Sequence, residues 1–475
     1  MVITALALAP VCRNEFVEWD DSQTISANPN FNPPTFRGLA NHWTSSHQAL
    51  YVPITYTVWW LIAQIAQTQS PEGMLLNPWI FHTANLLIHL CSVTIVFQIL
   101  RRFSFAPVAA FFGALIFAVH PVQVEAVAWA SGTKDVLSGM LSLLAILWYL
   151  QSDEHRWKRY GSFAVLVIAF FAKPSAVVVP AMLVVIQWLW RGRTFKQAIT
   201  EFSPWLLAII PAVLFTAIIQ PTIHSQTTPL WARPLVAMDA IAFYVFKLIA
   251  PVHLALDYGR TPARIMETGA IWWTWIIPMM LILLAWRWRQ RGIAVVLLFV
   301  VALAPVLGLL NFTFQSYSTV ADHYLYLPML AVAMLAAWIV GNGNFRRLLI
   351  LPPLLIVLAV LSFLQATTWQ DTRSVFSQVL RVNNRSALAY TNLATVEIKE
   401  KNDASAEALL ERAVALNPDY GPARLNLAML HIRQGEKDLA RRHFEELLRI
   451  YRSQRNADPK LIAQVRQLID KLTAQ

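Results

Sequence analysis

The chain has 475 residues, 57% of them hydrophobic and 14% charged, against about 45–50% and about 25% in an ordinary soluble domain. Its formal charge of +11 falls in short basic clusters between apolar runs, which is the pattern of membrane loops and argues against nucleic-acid binding. The two cysteines, Cys12 and Cys91, lie in apolar segments and give no disulfide framework, metal-ligand spacing or compartment signal.

Residues 1–12 are apolar but too short to cross a bilayer alone. Either the helix continues into the next turn or part of a first span is missing. They have no basic start and no small-residue cleavage pattern, so a signal peptide is not expected. A stretch rich in Asn and Pro follows to about residue 36. Residues 37–67, aromatic and partly apolar, are expected to lie on the membrane surface. Strong spans are predicted at 78–100, 107–120, 135–150, 160–172, 175–190, 204–219, 271–286, 293–310, 324–340 and 348–365. With the first segment this makes an all-α membrane bundle of about 11 spans. Residues 235–251 are ambiguous, because Asp239 and Lys247 interrupt them.

Basic clusters alternate with the spans: Arg101 and Arg102; Arg156, Lys158 and Arg159; Arg191, Arg193 and Lys196; Arg287, Arg289 and Arg291; Arg346 and Arg347. The positive-inside rule puts them all in the cytoplasm, provided that 235–251 is re-entrant or lies on the surface. The opposite, periplasmic or lumenal, loops then hold Asp20, Asp21, Glu125, Lys134, Lys173 and Asp322. The tail falls on that face too. There, residues 387–420 and 421 to about 454 align at about 34 residues, the tetratricopeptide spacing. The first repeat carries Tyr390, Leu393, Ala394, Ala406, Leu410, Ala413 and Pro418 at signature positions. The second carries Leu427, Ala428, Ala440 and Phe444 and lacks the closing proline. Residues 369–383 resemble the second helix of a partial repeat, and 459–472 a capping helix. The expected division is 1–366, a membrane domain, and 367–475, a repeat domain.

Several polar groups stand out. Asp20 and Asp21 form either a solvated loop or, at the lip of a membrane cavity, a base able to deprotonate a hydroxyl. His120-Pro121-Val122-Gln123-Val124-Glu125 and Lys134-Asp135 place ionisable groups at the membrane interface; at membrane depth such groups are costly and usually functional, and here the alternative is a water-facing turn. Lys173 in Ala172-Lys173-Pro174 can snorkel to lipid headgroups or bind a lipid-linked phosphate. Asp322-His323-Tyr324 offers an acid, a donor and a ring. His82, Asn85 and His89 share a helix face, as a metal pair or as polar packing between helices, the latter being the expectation.

These segments, together with residues 16–21, 51–55, 77–89, 134–139 and 321–328, resemble in family order the transmembrane and tetratricopeptide-repeat proteins. That family is related to protein O-mannosyltransferases of the GT-C glycosyltransferase superfamily. The resemblance implies a GT-C-like membrane glycosyltransferase with a polyprenyl-phosphate sugar donor, typically mannose, and an acidic motif at Asp20 and Asp21. Three departures matter: the first span is short, and Val52 and His323 stand where the family often has Arg.

The expected reaction is single-displacement, inverting transfer of a hexose to a Ser or Thr hydroxyl. One of Asp20 and Asp21 would be the base. Lys134, Lys173 and His323 would meet the leaving phosphate. Glu125 and Asp322 would position sugar or acceptor, with His120, Asp135 and Tyr324 in the same substrate-binding set. No cofactor or divalent metal is expected. The partners would be the lipid-linked sugar, an acceptor polypeptide and proteins bound by the repeats. A bacterial inner membrane is the expected location, with the ER membrane as the alternative. The rival from another class is a non-catalytic scaffold displaying the repeats. A transporter or flippase, which should show repeated halves and broken midplane helices, ranks third.

Overall fold

The computed structural model describes residues 1–48, 50–70, 73–219, 228–342, 345–453 and 459–473. Proline in the first helical turn, where a missing N–H costs nothing, opens several of the helices and fixes where their loops end. The chain begins with α1 (Val2–Ala7) and a 3-10 turn at Ala9–Arg13. After the first polar loop come α2 (Phe36–Thr44) and α3 (Pro53–Ala66), then a hairpin of β1 (Gln67–Ser70) and β2 (Gly73–Leu76) that pairs Gln67 with Leu76. This hairpin is a departure from the all-α expectation. α2 and α3 fill the stretch expected on the membrane surface, and Tyr56 and Trp59 of α3 are buried against Phe31.

The apolar part continues as α4 (Pro78–Arg102), α5 (Pro107–Val119), α6 (Val124–Ala128), α7 (Thr133–Leu150), α8 (Trp157–Ala172), α9 (Val179–Val185) and α10 (Phe195–Ile219). It then runs through α11 (Arg233–Ile249), α12 (Pro262–Glu267), α13 (Ile276–Arg287), α14 (Arg289–Leu303), α15 (Met329–Gly341) and α16 (Phe345–Thr367). Among the described residues five segments are long and apolar enough to cross a membrane: Pro78–Arg102, Ala130–Leu150, Ala270–Arg287, Arg289–Val306 and Ile350–Thr367. Pro107–Val119 and Pro121–Ala128, bent by 53°, make a sixth if taken as one. The expected count of about eleven spans is not reached on this measure. One reason is visible at Pro174–Trp190, where 3-10 and π turns flank the seven residues of α9. In α11 the two charges that interrupt the apolar run are held by protein: Asp239 is buried in an ion pair with Arg260, and Lys247 donates to the carbonyl oxygens of Val252 and His253 at 2.7 and 3.0 Å.

α4, α5, α7 and α15 share one continuous buried core. Its polar centre is Tyr326, whose hydroxyl donates to Ser92 Oγ at 3.0 Å and lies 3.0 Å from His89 Nδ1. α7 passes so close to this ring that a Cβ on Gly139 would fall 2.3 Å from Tyr326 Cδ1.

The tail forms α17 (Thr372–Val382), α18 (Ala387–Lys399), α19 (Asp403–Leu416), α20 (Gly421–Gln434), α21 (Lys437–Ser453) and α22 (Pro459–Thr473). α17 and α22 occupy the segments expected as partial repeat and cap, and α18 to α21 form the two repeats. The expected end of the second repeat, Gln454, lies outside the described residues. Small residues Ala394, Ala406 and Ala413 are buried between α18 and α19, which lets the paired helices approach closely. Gly435, at φ +83°, ends α20 in the left-handed conformation that an L side chain resists. The tail is tied to the membrane part by hydrogen bonds. Ser386 Oγ donates to Asp257 Oδ2 at 2.6 Å, Asn383 donates to the same oxygen at 3.2 Å, and Gln378 donates to the Leu254 carbonyl at 3.1 Å. The backbone N–H of Glu18 donates to Thr372 Oγ1 at 3.0 Å.

Gly139→Ala should therefore lower stability by about 1–3 kcal/mol, the usual cost of forcing a methyl into a filled core. A thermal-unfolding shift of the purified chain measures it. An unchanged melting temperature would mean that α7 and Tyr326 are not in contact.

Candidate active site

Two neighbouring carboxylates take opposite routes in the first loop. Asp21 is fully buried and accepts hydrogen bonds from the backbone N–H of Val17 at 3.0 Å and of Ser131 at 2.8 Å. Asp20 turns outward. Its side chain is 35% exposed and faces Lys134 Nζ at 3.3 Å, while the Lys134 side chain is only 12% exposed. The chain holds this divergence through Thr24, which returns both its N–H and its hydroxyl to the Asp20 carbonyl at 2.8 and 2.7 Å. The hydroxyl of Thr24 also lies 3.0 Å from Ser131 Oγ.

Ser131 presents its N–H because the chain folds back over itself there. A Cβ on Gly132 would lie 2.4 Å from the Ala126 carbonyl oxygen, so only glycine fits that turn. The bend upstream follows from His120, which precedes a proline and is held extended at φ −76°, ψ 130°.

Lys134 and Asp135 repeat the divergence at the start of α7. Lys134 sits over the Trp129 ring at 4.5 Å, and Trp129 is stacked on Trp19 at 5.5 Å. Asp135 points inward and pairs with Lys173. The Lys173 ammonium also lies over the Tyr324 ring at 5.5 Å. Glu125 in α6 bonds His323 Nδ1 and accepts from the Asp322 N–H at 3.1 Å. Asp322 in turn accepts from the hydroxyl of Tyr258 at 2.9 Å.

Burial pushes Asp21 up to about 6, against the pull of its bonds to Ser131 and Val17, and the nearby Asp20 adds to the rise. Burial also raises Asp322, while Tyr258 and Lys247 draw it back. His323 is lowered to about 3, again mainly by burial, with Asp135 opposing and Lys173 and Lys134 assisting. His323 is thus a neutral ring near pH 7. It can hydrogen-bond, but it is not the fixed positive charge expected at that position.

Of the expected site residues, the structure gathers Asp20 with Lys134, Asp135 with Lys173 and Tyr324, and Glu125 with His323 and Asp322. A cavity of about 40 Å³ between the last two groups is lined by Asp135, Ser142, Lys173, His323 and Tyr324 among others. Asp135 Oδ2 and Ser142 Oγ are buried without a hydrogen-bond partner, and such groups call for a polar guest. The volume suits a water-sized one.

His120 stands apart: Nε2 lies 3.1 Å from the Leu248 carbonyl oxygen, and Nδ1 accepts from the Val122 N–H at 3.4 Å. His82, Asn85 and His89 each bond a different part of the chain, to the carbonyl oxygens of Glu15, Trp129 and Ala118 at 3.2, 2.8 and 3.0 Å. This is polar packing between helices. Among the described residues no group of three or more His, Cys, Asp or Glu side chains forms a metal-sized cage. The sequence reading missed Trp129, Ser131 and Tyr258. Ser131 and Trp129 lie in the short interval between two chosen motifs and could have been included on that ground.

Because the folded pKa of Asp21 is raised, its contribution favours the fold most below the ordinary value of 3.8 and is lost as pH rises through about 6. The shift corresponds to about 3 kcal/mol. The stability difference between wild type and Asp21→Asn should therefore fall by about that order between pH 3.5 and pH 7, read from unfolding curves. A difference constant with pH would place Asp21 in water.

A tetratricopeptide-repeat family model matches residues 397–465. A protein O-mannosyl-transferase of Caenorhabditis elegans is 23% identical over 88% of this chain and 63% of its own length. Human protein O-mannosyl-transferase TMTC3 is 22% identical over 86% of this chain and 50% of its own. Mouse TMTC1, of the same name, is 36% identical over 30% of this chain and 15% of its own. The chain thus spans between half and two thirds of the length of the first two curated relatives. The chain is related to the transmembrane and tetratricopeptide-repeat proteins that bear the name protein O-mannosyl-transferase.

Proposed function

We propose that the chain is a membrane glycosyltransferase that moves a hexose, mannose by the names of its relatives, from a polyprenyl-phosphate donor to a hydroxyl acceptor, in the first place a protein Ser or Thr. The observation that carries this reading is the Asp20–Lys134 pair: a part-exposed carboxylate beside an ammonium, one residue along the chain from the buried Asp135–Lys173 pair. Asp20 is the base and Asp21 the residue that positions it, because only Asp20 is exposed to an incoming hydroxyl.

In the proposed step the Asp20 carboxylate takes the proton of the acceptor hydroxyl. The hydroxyl oxygen attacks the anomeric carbon, and the bond from that carbon to the phosphate oxygen breaks with inversion. The electron pair leaves with the polyprenyl phosphate. Lys134 and Lys173 supply the fixed positive charge that the leaving oxygen needs. Glu125, through His323 and the Asp322 N–H, holds the wall of the cavity in place. The cavity is smaller than a sugar, so donor binding requires the Asp135–Lys173 pair to open toward it. The donor is the sole co-substrate in this reading, the site faces the periplasm or ER lumen, and the repeats hold the acceptor or recruit a partner.

The test is turnover of a panel of labelled polyprenyl-phosphate hexoses by the purified chain, with acceptor peptides. Asp20→Asn should lower kcat about 10²–10⁴-fold with little change in KM, the range of a lost general base. Asp21→Asn should lose activity in step with its loss of folded protein. No turnover of any donor by folded wild type would favour the scaffold reading.

A further inference from the structure

A second cavity, of about 470 Å³, lies between the 3-10 turn Ala9–Arg13 and the end of α16. Its walls are Ala9 and Pro10 on one side and Phe363 on the other. Arg13, Thr367 and Gln370 supply its polar end, and Asn14 lines it as well. The Asn14 side chain is buried and bonded to the Ala128 carbonyl at 3.5 Å. None of these residues belongs to the site described above.

Two features say what the cavity can take. The first is the apolar approach. Ile350–Thr367 is long and apolar enough to span a membrane, and Val360, Phe363 and Leu364 near the cavity are exposed large apolar side chains. An acyl chain lying along α16 would reach the cavity where that apolar segment ends. The second is the cation. Arg13 is exposed and has no ion pair or side-chain hydrogen bond among the described residues. Glu15, two residues on, makes no ion pair with it, and its backbone N–H is tied to the Gln370 carbonyl at 2.8 Å. An exposed guanidinium with no ion-pair partner can take an anion, and it matches a phosphate through two parallel N–H···O bonds. One guanidinium balances one negative charge, which fits a phosphodiester better than a dianionic phosphate monoester.

We infer that this cavity binds the phosphodiester headgroup of an anionic glycerophospholipid, with Arg13 on the phosphate, Thr367 and Gln370 beside it and an acyl chain along Phe363. The sugar donor carries a phosphodiester too. Its sugar must reach Asp20, however, whereas this cavity opens between the first turn and α16.

Native mass spectrometry of the full chain, purified and exchanged into detergent with phosphatidylglycerol, tests the inference. Wild type should retain one phosphatidylglycerol that Arg13→Gln binds about tenfold more weakly, in line with the loss of a charge-assisted contact. Arg13→Lys, which keeps the charge and loses the fork, should fall between them. Equal retention by wild type and Arg13→Gln, or no retention by wild type, would overturn it. So would displacement of the bound lipid by equimolar polyprenyl-phosphate hexose, which would assign the cavity to the donor. Turnover is measured in parallel. Retention lost in Arg13→Gln supports the lipid site whether or not the wild type transfers sugar, so the two readings fail separately.

Discussion

The buried carboxylate of Asp21, held between the N–H groups of Val17 and Ser131, joins the first loop of the chain to a turn more than a hundred residues away. A charged group without solvent is tolerated only when its lone pairs are filled, so this contact fixes both partners at once. The first loop cannot slide, because the acceptor needs both donors. The turn at Ser131 cannot open, because its N–H would lose its partner in the interior. The orientation of Asp20 and the approach of Lys134 follow from that junction.

The same device is used twice. In Asp20-Asp21 and again in Lys134-Asp135, one residue of a sequential pair faces the interior and the other faces the opening. The inward members make structural bonds, to backbone N–H groups in one case and to Lys173 in the other. The outward members meet each other. Adjacent side chains on a tight turn or a first helical turn point in different directions, so two dipeptides suffice to build both a buried frame and a part-exposed ion pair. Trp19, next to Asp20, stacks on Trp129, two residues before Ser131, and adds apolar surface beside the junction.

Much of the architecture was legible because it is local. Apolar runs gave the helices of the membrane part, and the repeat period gave α18 to α21, with partial repeat and cap on either side. Asp20, Glu125, Lys134 and Lys173 stood out because charges near apolar runs are conspicuous. Their pairing was not legible, since Asp20 meets Lys134 across 114 positions and nothing local records that distance. Tyr258 escaped notice for a similar reason: it sits in an irregular loop and reaches Asp322 across 64 positions. Asp239 and Lys247 were conspicuous, and their partners, Arg260 and two backbone carbonyls, were not legible; α11 is not among the segments long and apolar enough to span. His323 lies against Glu125, but its charge depends on how deeply it is buried, which a one-dimensional pattern does not contain.

The tie from Ser386 and Asn383 to Asp257 grips the solenoid at its first full repeat and leaves α20 to α22 touching chiefly their own neighbours. In a stacked array each unit depends on the next one along. The tail is therefore fixed at its near side, and its far side packs against α22. Repeats can be added or exchanged beyond Gly421 with the distance from the first repeat to the membrane part unchanged. Selection on such an array can alter its reach without disturbing the helices at its base.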